Sequence, residues 1–464
     1  MSVINWPISR LIRFIRIQNL LNWTHQVYLK YMKPRFFLFS LLLILLFAVH
    51  YNSGKKNKYN TFSDTVLFGG DQWEYQSLAV NLLNGHGYRF GGIEPLEGYK
   101  FDYTSRYKTF FDSETHYSFY RTPGYPFFLK TIYQFYGVHP RVVKKFQLIM
   151  IVISACLMPL VCYYYFGFMG IISGTISSFL FMKYFCSDFR AGSILTESLI
   201  LFSVLVWMFA LIFWEKKPSN FRVCILGIIS GLLLLVKGST IFMPFTFILF
   251  LFGYYRSLGK SKFLQIIIYS LSVILTIAPW SIYASLKSNK VILLSTQGDV
   301  MLVDYHNKQA ALTGEWSTNW PSSESNLKYL FFERPKGTTK KNIVTALNFY
   351  KENPWMIFTA IKNKIIFAIQ YRPTKYCLIF FLLHLFLTIT TSRFQAKYRF
   401  QSIPSFSVII FINIFLLTTV FQGSRRFLVP YMYFLLMPSI HFLFLIPNYI
   451  TTILETFGLN KKSE

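Results

Sequence analysis

Charge is what this sequence has least of. Charged residues make up 14% of its 464 positions, against roughly a quarter in ordinary soluble domains. Beside a hydrophobic content of 53%, that scarcity excludes a disordered chain, which needs low hydrophobicity. Acids are scarcer still: 19 Asp and Glu face 47 Lys and Arg, for a net charge of +28. Basic excess is also the footprint of soluble nucleic-acid binders, but those rarely carry long uncharged apolar runs, so nucleic acid is not an expected partner. Cysteine is sparse. Cys156, Cys162, Cys186, Cys224 and Cys377 lie in or beside apolar stretches without metal or redox spacing. They read as buried small hydrophobes rather than as a disulfide framework or zinc site. The eight histidines also lack ligand spacing, so no protein-defined metal cluster is expected. A loosely held divalent cation near Asp71 is the one metal reading the residues leave open.

What is present is a series of charge-free runs. A spanning helix needs about 17–25 apolar residues. The runs are Phe36–Gly54, Phe146–Met182, Ser198–Trp214, Val223–Val236, Gly238–Tyr255, Phe263–Leu286, Tyr376–Ser392, Phe400–Ser424 and Phe427–Leu454. Phe146–Met182 is too long for one span and holds Gly167, Gly170 and Gly174 in its middle, so it reads as two spans joined by a tight turn. Val223–Val236 is short, with Lys237 placed to snorkel at its end. The expected fold is an all-α multi-pass membrane protein of about ten transmembrane helices.

Orientation follows from loop charge. Met1–Arg35 contains six Lys or Arg and no acid, and Glu215–Arg222, Arg256–Lys262 and Arg393–Arg399 are short and net basic. Placing all four inside satisfies the positive-inside rule and puts both termini in the cytoplasm. Residues 1–35 are then a basic cytoplasmic segment, of which Ile8–Lys33 suits an anionic leaflet. The first apolar run starts after residue 35, and no small-residue cleavage pattern follows it, so no cleavable signal peptide is expected. The chain divides into this segment, a membrane domain 36–286 with a first outer loop 55–145, a second outer loop 287–375, and C-terminal membrane helices with a short tail, 376–464. Two large outer segments suit an outward-facing enzyme, which needs walls and an acceptor site, better than a channel.

The first outer loop carries Asp71-Gln72-Trp73-Glu74-Tyr75, then Leu78, Leu82 and Leu83 at helical spacing, then Gly85-His86-Gly87 as a stop. Asp71 thus falls at or just before a helix N-terminus. Two roles are open to it and both fit one structure: an N-cap, and a general base held near the membrane surface. His86, in the Gly-rich turn, reads as structural. Further on, Arg121-Thr122-Pro123-Gly124-Tyr125-Pro126 sets two prolines around Gly-Tyr, a rigid turn ahead of a helix. Arg121, Arg190, Lys237, Arg425 and Arg426 also fall outside, most of them at or near span ends. Each can snorkel to membrane lipids or hold a substrate phosphate; arginine's bidentate geometry ranks Arg426 first. Glu197 directly precedes an apolar run, where a carboxylate should face protein or water. It can position a sugar or Arg121, or pair with Arg190. Glu74, Tyr75 and Trp316 are candidates for positioning sugar or acceptor, and Trp73, Trp316 and Trp320 for stacking on sugar rings.

Asp71 with Tyr75, Ala79, Asn81-Leu82-Leu83 and Gly85-His86-Gly87-Tyr88, followed by Arg121-Thr122-Pro123-Gly124-Tyr125-Pro126, resembles the broad bacterial branch of the polytopic C-type-fold glycosyltransferases. These are the relatives of protein O-mannosyltransferases and of the lipid A aminoarabinose transferase. Thr196-Glu197, Gly231-Leu232 through Lys237, Pro279-Trp280, Leu294-Ser295-Thr296-Gln297-Gly298, Thr313-Gly314-Glu315-Trp316, Asn353-Pro354 and Arg426-Phe427-Leu428-Val429-Pro430 resemble later family segments in the same order. The resemblance implies a C-type fold and transfer of a sugar from a polyprenyl-phosphate carrier, usually with inversion. The acceptor would be a surface glycan, lipid or protein at the outer face of a bacterial inner membrane, and the acid matching Asp71 would be catalytic. Arg121 stands near the position where the mannosyltransferase and aminoarabinose branches carry a second acid, so an acid pair there does not carry over. Two other classes compete. A polymerase of polyprenyl-diphosphate oligosaccharides would not be expected to carry an Asp71-type motif so soon after its first span. A lipid-linked sugar flippase or transporter would show midplane charges and often two similar halves.

Overall fold

The computed structural model describes residues 37–46, 48, 64, 71–91, 116–184, 193–254, 261–315, 338–370, 372–394, 405–421 and 425–456. Among them, four helical stretches are long and apolar enough to cross a membrane: Pro140–Lys183, Glu197–Lys216, Phe263–Ser288 and Phe427–Ile446. Shorter apolar helices are Phe37–Leu46, Asn220–Val236, Gly238–Phe252, Thr374–Leu387 and Ser405–Phe421. Large side chains such as Leu42, Phe252, Leu275 and Phe386 lie exposed on these helices, as lipid-facing residues would.

In chain order the elements are α1 (Phe37–Leu46), α2 (Asp71–Leu83), β1 (Arg89–Phe90), β2 (His116–Tyr117), α3 (Gly124–Tyr136) and α4 (Pro140–Tyr184). Next come α5 (Glu197–Lys216), α6 (Asn220–Val236), a 3-10 turn (Gly238–Ile241), α7 (Phe242–Tyr254) and α8 (Ser261–Ser288). Residues 287–375 supply α9 (Gln297–Tyr305), α10 (Lys308–Thr313), α11 (Thr338–Glu352) and α12 (Met356–Ile369). The chain then forms α13 (Arg372–Phe394), α14 (Ser405–Leu416) with a π turn (Leu417–Phe421), and α15 (Arg425–Thr456). The one described ladder is antiparallel, pairing Arg89 with Tyr117 and Phe90 with His116.

The run read as two spans is a helical hairpin. Gly167 breaks α4 with φ 62° and ψ −147°, a conformation that glycine adopts without penalty. The arms then fold back on each other. Ser178 Oγ donates to Ala155 O across the hairpin at 2.8 Å. A Cβ on Gly174 would stand 2.7 Å from Pro159 Cα, and one on Gly170 would strike the Cys162 carbonyl. The small residues that the sequence places after the turn let the backbones touch. The same device joins α6 to α8. Cβ atoms on Gly227 and Gly231 would lie 2.7 Å from Ser272 and 2.6 Å from Thr276. Polar bonds reinforce the bundle: Trp207 Nε1 and Tyr269 OH both donate to Ser230 Oγ, at 3.0 and 2.7 Å.

α2 is buried all round, from Gln72 to Asn81, because it lies between two clusters. Tyr75 and Ala79 pack with Tyr125, Leu129 and Tyr133 of α3. Trp73 and Leu78 pack with Tyr88, Phe119, Trp280 and Ile292. The second cluster joins the segments 55–145 and 287–375, as does the bond from Thr296 N to Phe119 O at 2.8 Å. At the other end of the bundle, Tyr165 OH donates to Glu215 at 2.8 Å, and Ser405 Oγ donates to the same carboxylate.

Candidate active site

The motifs that begin at Asp71 and at Arg121 meet at Arg121 itself. Asp71 and Glu74 are the first and fourth residues of α2, three apart and so on one face of the helix. Arg121 Nη2 donates to Asp71 Oδ1, and its Nε donates to Glu74 Oε2. Arg121 and Glu74 are buried, whereas the Asp71 side chain is 27% exposed. Arg121 also lies 5.3 Å from the Tyr75 ring and 4.9 Å from the Tyr120 ring. Burial works against its charge, but Asp71 and then Glu74 outweigh it and hold the guanidinium well above its ordinary value. Arg121 is therefore a fixed cation with its charge offset by two carboxylates.

Each residue around Arg121 has a structural task. Tyr88 OH donates to the carbonyls of Arg121 and Thr122, at 2.9 and 3.0 Å. Burial raises the Tyr88 phenol well above its ordinary value, which keeps it a donor. Thr122 Oγ1 donates to Val236 O at 2.9 Å, docking the motif on the end of α6. Gly124 is required there, since a Cβ would stand 2.7 Å from Leu235 O. Tyr125 meets the Tyr75 ring edge-on at 4.8 Å, and its hydroxyl bonds Gln147. An open, mostly apolar groove of about 610 Å³ runs along α3, lined by Phe128, Thr131, Ile132, Phe135, Tyr136 and Phe146.

The turn after α2 is equally specified. Gly85 and Gly87 adopt φ 79° and 84°. Asn81 Nδ2 donates to Arg89 O and Gly91 O, at 2.9 and 3.0 Å. His86 Nδ1 lies 3.1 Å from Asn81 Oδ1, which gives His86 the structural role read for it. Trp73 is 3% exposed and packed in the second cluster. This corrects its reading as a sugar-stacking ring: its faces are taken by the core.

Glu197 opens α5 and lies 3.9 Å from Lys237 Nζ. Of the partners expected for Glu197, Arg190 lies outside the described residues; among the described ones Lys237 is an opposite charge beside it. Lys237 Nζ also lies 4.3 Å above the Phe427 ring, so it reaches the first turn of α15. Arg425 and Arg426 begin that helix; their side chains lie outside the described residues, as do Trp316 and Trp320. Residues that the sequence did not single out also gather here. Tyr120 borders Arg121. Tyr305 of α9 is held above its ordinary range by burial first, and then by Tyr120, Asp304 and Asp71. Tyr120 adjoins the motif in sequence, but nothing local marked Tyr305.

No known protein-family profile matches the chain, and no curated protein matches it. Two solved structures are similar. The Archaeoglobus fulgidus oligosaccharyltransferase, tethered with an acceptor peptide containing the NVT sequon, aligns over 93% of this chain and 51% of its own, with 15% identity and a TM-score of 0.45. ArnT from Cupriavidus metallidurans, bound to undecaprenyl phosphate, aligns over 90% of this chain and 77% of its own, with 11% identity and a TM-score of 0.42. The chain spans about half the length of the archaeal protein.

Proposed function

We propose that this chain is a membrane glycosyltransferase. It moves a hexose or pentose from a polyprenyl-phosphate carrier to a glycan, lipid or protein acceptor at the outer face of a bacterial plasma membrane. The observation that carries this reading is the Asp71–Arg121–Glu74 cluster. It sits at one end of an apolar bundle, and of its three charged side chains Asp71 is the one most open to a substrate. In the reaction, an acceptor oxygen bonds the anomeric carbon from the face opposite the phosphate, inverting it. The bond from that carbon to the phosphate oxygen breaks, and the phosphate leaves with the electron pair. The acceptor's hydroxyl proton passes to the Asp71 carboxylate.

Arg121, read from the sequence as a phosphate ligand, serves in this reading to position Asp71. Glu74 holds Arg121 from its other edge. Cations at the start of α15, Arg425 and Arg426, together with Lys237, receive the charge that develops on the phosphate. Glu197 sets Lys237. Tyr75, 4% exposed and packed on Tyr125 and Arg121, supports Arg121 rather than positioning sugar or acceptor, which corrects its reading from the sequence. Trp316, outside the described residues, is kept as an acceptor-side candidate. The apolar groove along α3, lined by residues such as Phe128 and Phe135, suits a lipid chain.

The test is mass comparison of surface glycans and lipid-linked sugars from cells carrying the active chain or Asp71→Asn. A single sugar unit missing from one glycan, with a lipid-linked sugar accumulating, supports the reading. Asp71→Asn should lower turnover by roughly 10²–10⁴-fold while the protein stays inserted. Near-normal turnover sinks the base assignment.

A further inference from the structure

The groove along α3 has basic neighbours that the proposed reaction does not use. α3 ends at Tyr136, and Gly137, with φ 75°, turns the chain into α4. The open groove of about 610 Å³ is lined by both helices, with Phe128, Ile132 and Phe135 from α3 and Phe146 from α4. Phe135 is 76% exposed. The Tyr136 ring, also exposed, lies 5.7 Å from that of Phe146. An exposed apolar surface of this kind marks contact with a partner or a membrane.

Beside the groove, α4 carries a second apolar track. Arg141, Lys145, Ile149 and Ile153 follow one another four residues apart, which makes them a stripe along the helix. All four are exposed. α4 is among the helices long and apolar enough to cross a membrane. The stripe therefore sets two cations at the membrane surface, followed by aliphatic side chains at the depth of the hydrocarbon. Phe146, on the groove, directly follows Lys145, so both tracks start from the same pair of cations.

The local charge is unbalanced. Asp64 is the acid that meets this corner among the described residues, and Arg141 engages it. Arg141 N donates to Asp64 Oδ1 at 2.9 Å, and Arg141 Nε lies 3.4 Å from Oδ2. His139 Nδ1 stands 3.9 Å from the same carboxylate. Lys144 is buried and feels Asp64 as well. Lys145 is exposed and, among the described residues, belongs to no ion pair. One acid thus meets three cations, Arg141, Lys144 and Lys145. In the expected orientation all three fall outside, against the positive-inside tendency, so membrane insertion does not account for them.

We infer that this corner binds an anionic diacyl phospholipid of the surrounding membrane. Its phosphate lies at Arg141 and Lys145, one chain fills the groove against Phe135 and Phe146, and the other lies on Ile149 and Ile153. Two apolar tracks leaving one pair of cations match a headgroup with two chains, rather than the single chain of a prenyl phosphate. Asp64 holds the Arg141 guanidinium by one edge, and charge-assisted bonds from its other edge and from the Lys145 ammonium are of the strong kind. The site does not depend on sugar transfer, and its lipid is a different molecule from the proposed carrier.

The experiment is native mass spectrometry of the purified full chain in detergent. It is titrated with dioleoyl phosphatidylglycerol, or with dioleoyl phosphatidylcholine, which has the same chains and no net charge. Phosphatidylglycerol should bind more tightly. Arg141→Gln with Lys145→Gln should weaken it by roughly ten- to thirty-fold and leave phosphatidylcholine unchanged. If the double variant does not fold, Lys145→Gln alone should weaken phosphatidylglycerol about five-fold. Equal affinity for the two lipids, or unchanged phosphatidylglycerol affinity in the charge variants, overturns the site. A second measurement reads the groove. Phe135→Trp, at an exposed position, should add emission that phosphatidylglycerol with brominated chains quenches beyond the wild type. An equal amount of polyprenyl monophosphate should leave that quenching in place. No added quenching overturns the placement of the chain and with it the site. Displacement by the monophosphate gives the corner to the carrier, which overturns this inference and leaves the proposed function standing.

Discussion

At the scale of single residues, Arg121 organises the candidate site, and its neighbours depend on it unequally. Removing Arg121 leaves two carboxylates together without their cation. Breaking such a buried pair costs roughly 3–5 kcal/mol, so Arg121→Ala should lower the unfolding midpoint in detergent sharply. Glu74→Gln leaves Asp71 bonded and should cost less, while changing turnover through the tilt of Arg121. A double-mutant cycle between positions 74 and 121 should give a coupling above about 0.5 kcal/mol; strict additivity would mean that Glu74 does not hold Arg121. Part of this was legible in the sequence. Asp71, Glu74 and Tyr75 share one helical turn, so their common face follows from spacing. That Arg121 would turn to those acids rather than to a phosphate was not legible, because the 50-residue separation is closed by Tyr88 and Thr122 gripping backbone carbonyls. Side chains choose such partners in three dimensions. Tyr305 was hidden for the same reason.

At the scale of elements, glycine decides where helices touch. Gly231→Leu would drive a side chain into Thr276 and Val273 O, and overpacking of this kind costs about 1–3 kcal/mol. Gly298 has nothing within 4 Å of an added Cβ, so Gly298→Ala should change the midpoint little. Comparing the two variants by thermal unfolding checks that packing rather than glycine content sets the effect. The paired spans of α4 were legible because a charge-free run of that length cannot be one span and glycines cluster at its centre. The expected span Phe400–Ser424 is described only as α14 with its π turn, Ser405 to Phe421. The widened turn, whose carbonyls Lys364 and His306 bond, left no mark in composition. α2 reads from its leucines as one-sided, yet it is buried all round because α3 packs on one side and Tyr88, Phe119, Trp280 and Ile292 on the other.

At the scale of the molecule, the charged clusters sort to opposite ends. Asp71, Arg121, Glu197 and Lys237 lie at one end of the bundle, and Tyr165, Glu215 and Ser405 at the other. If the first end faces outward, a cysteine at Gln297 in an otherwise cysteine-free chain should react with an impermeant reagent in intact cells. A reporter after Glu464 should read cytoplasm, and the reverse pattern would overturn the orientation. The α4 hairpin adds a consequence for how the chain is made. From Leu160 to Ile172 there is no charged residue, so the turn at Gly167 offers the insertion machinery no basic anchor. Its arms, locked face to face by Gly170 and Gly174, have to enter the membrane together as one unit. In the expected topology the basic residues at the hairpin's far ends, Arg141, Lys144 and Lys145 before the first arm and Lys183 after the second, fall outside, so they oppose its heading rather than set it. In the assembly of this protein, α4 is a passenger whose heading is imposed by its neighbours.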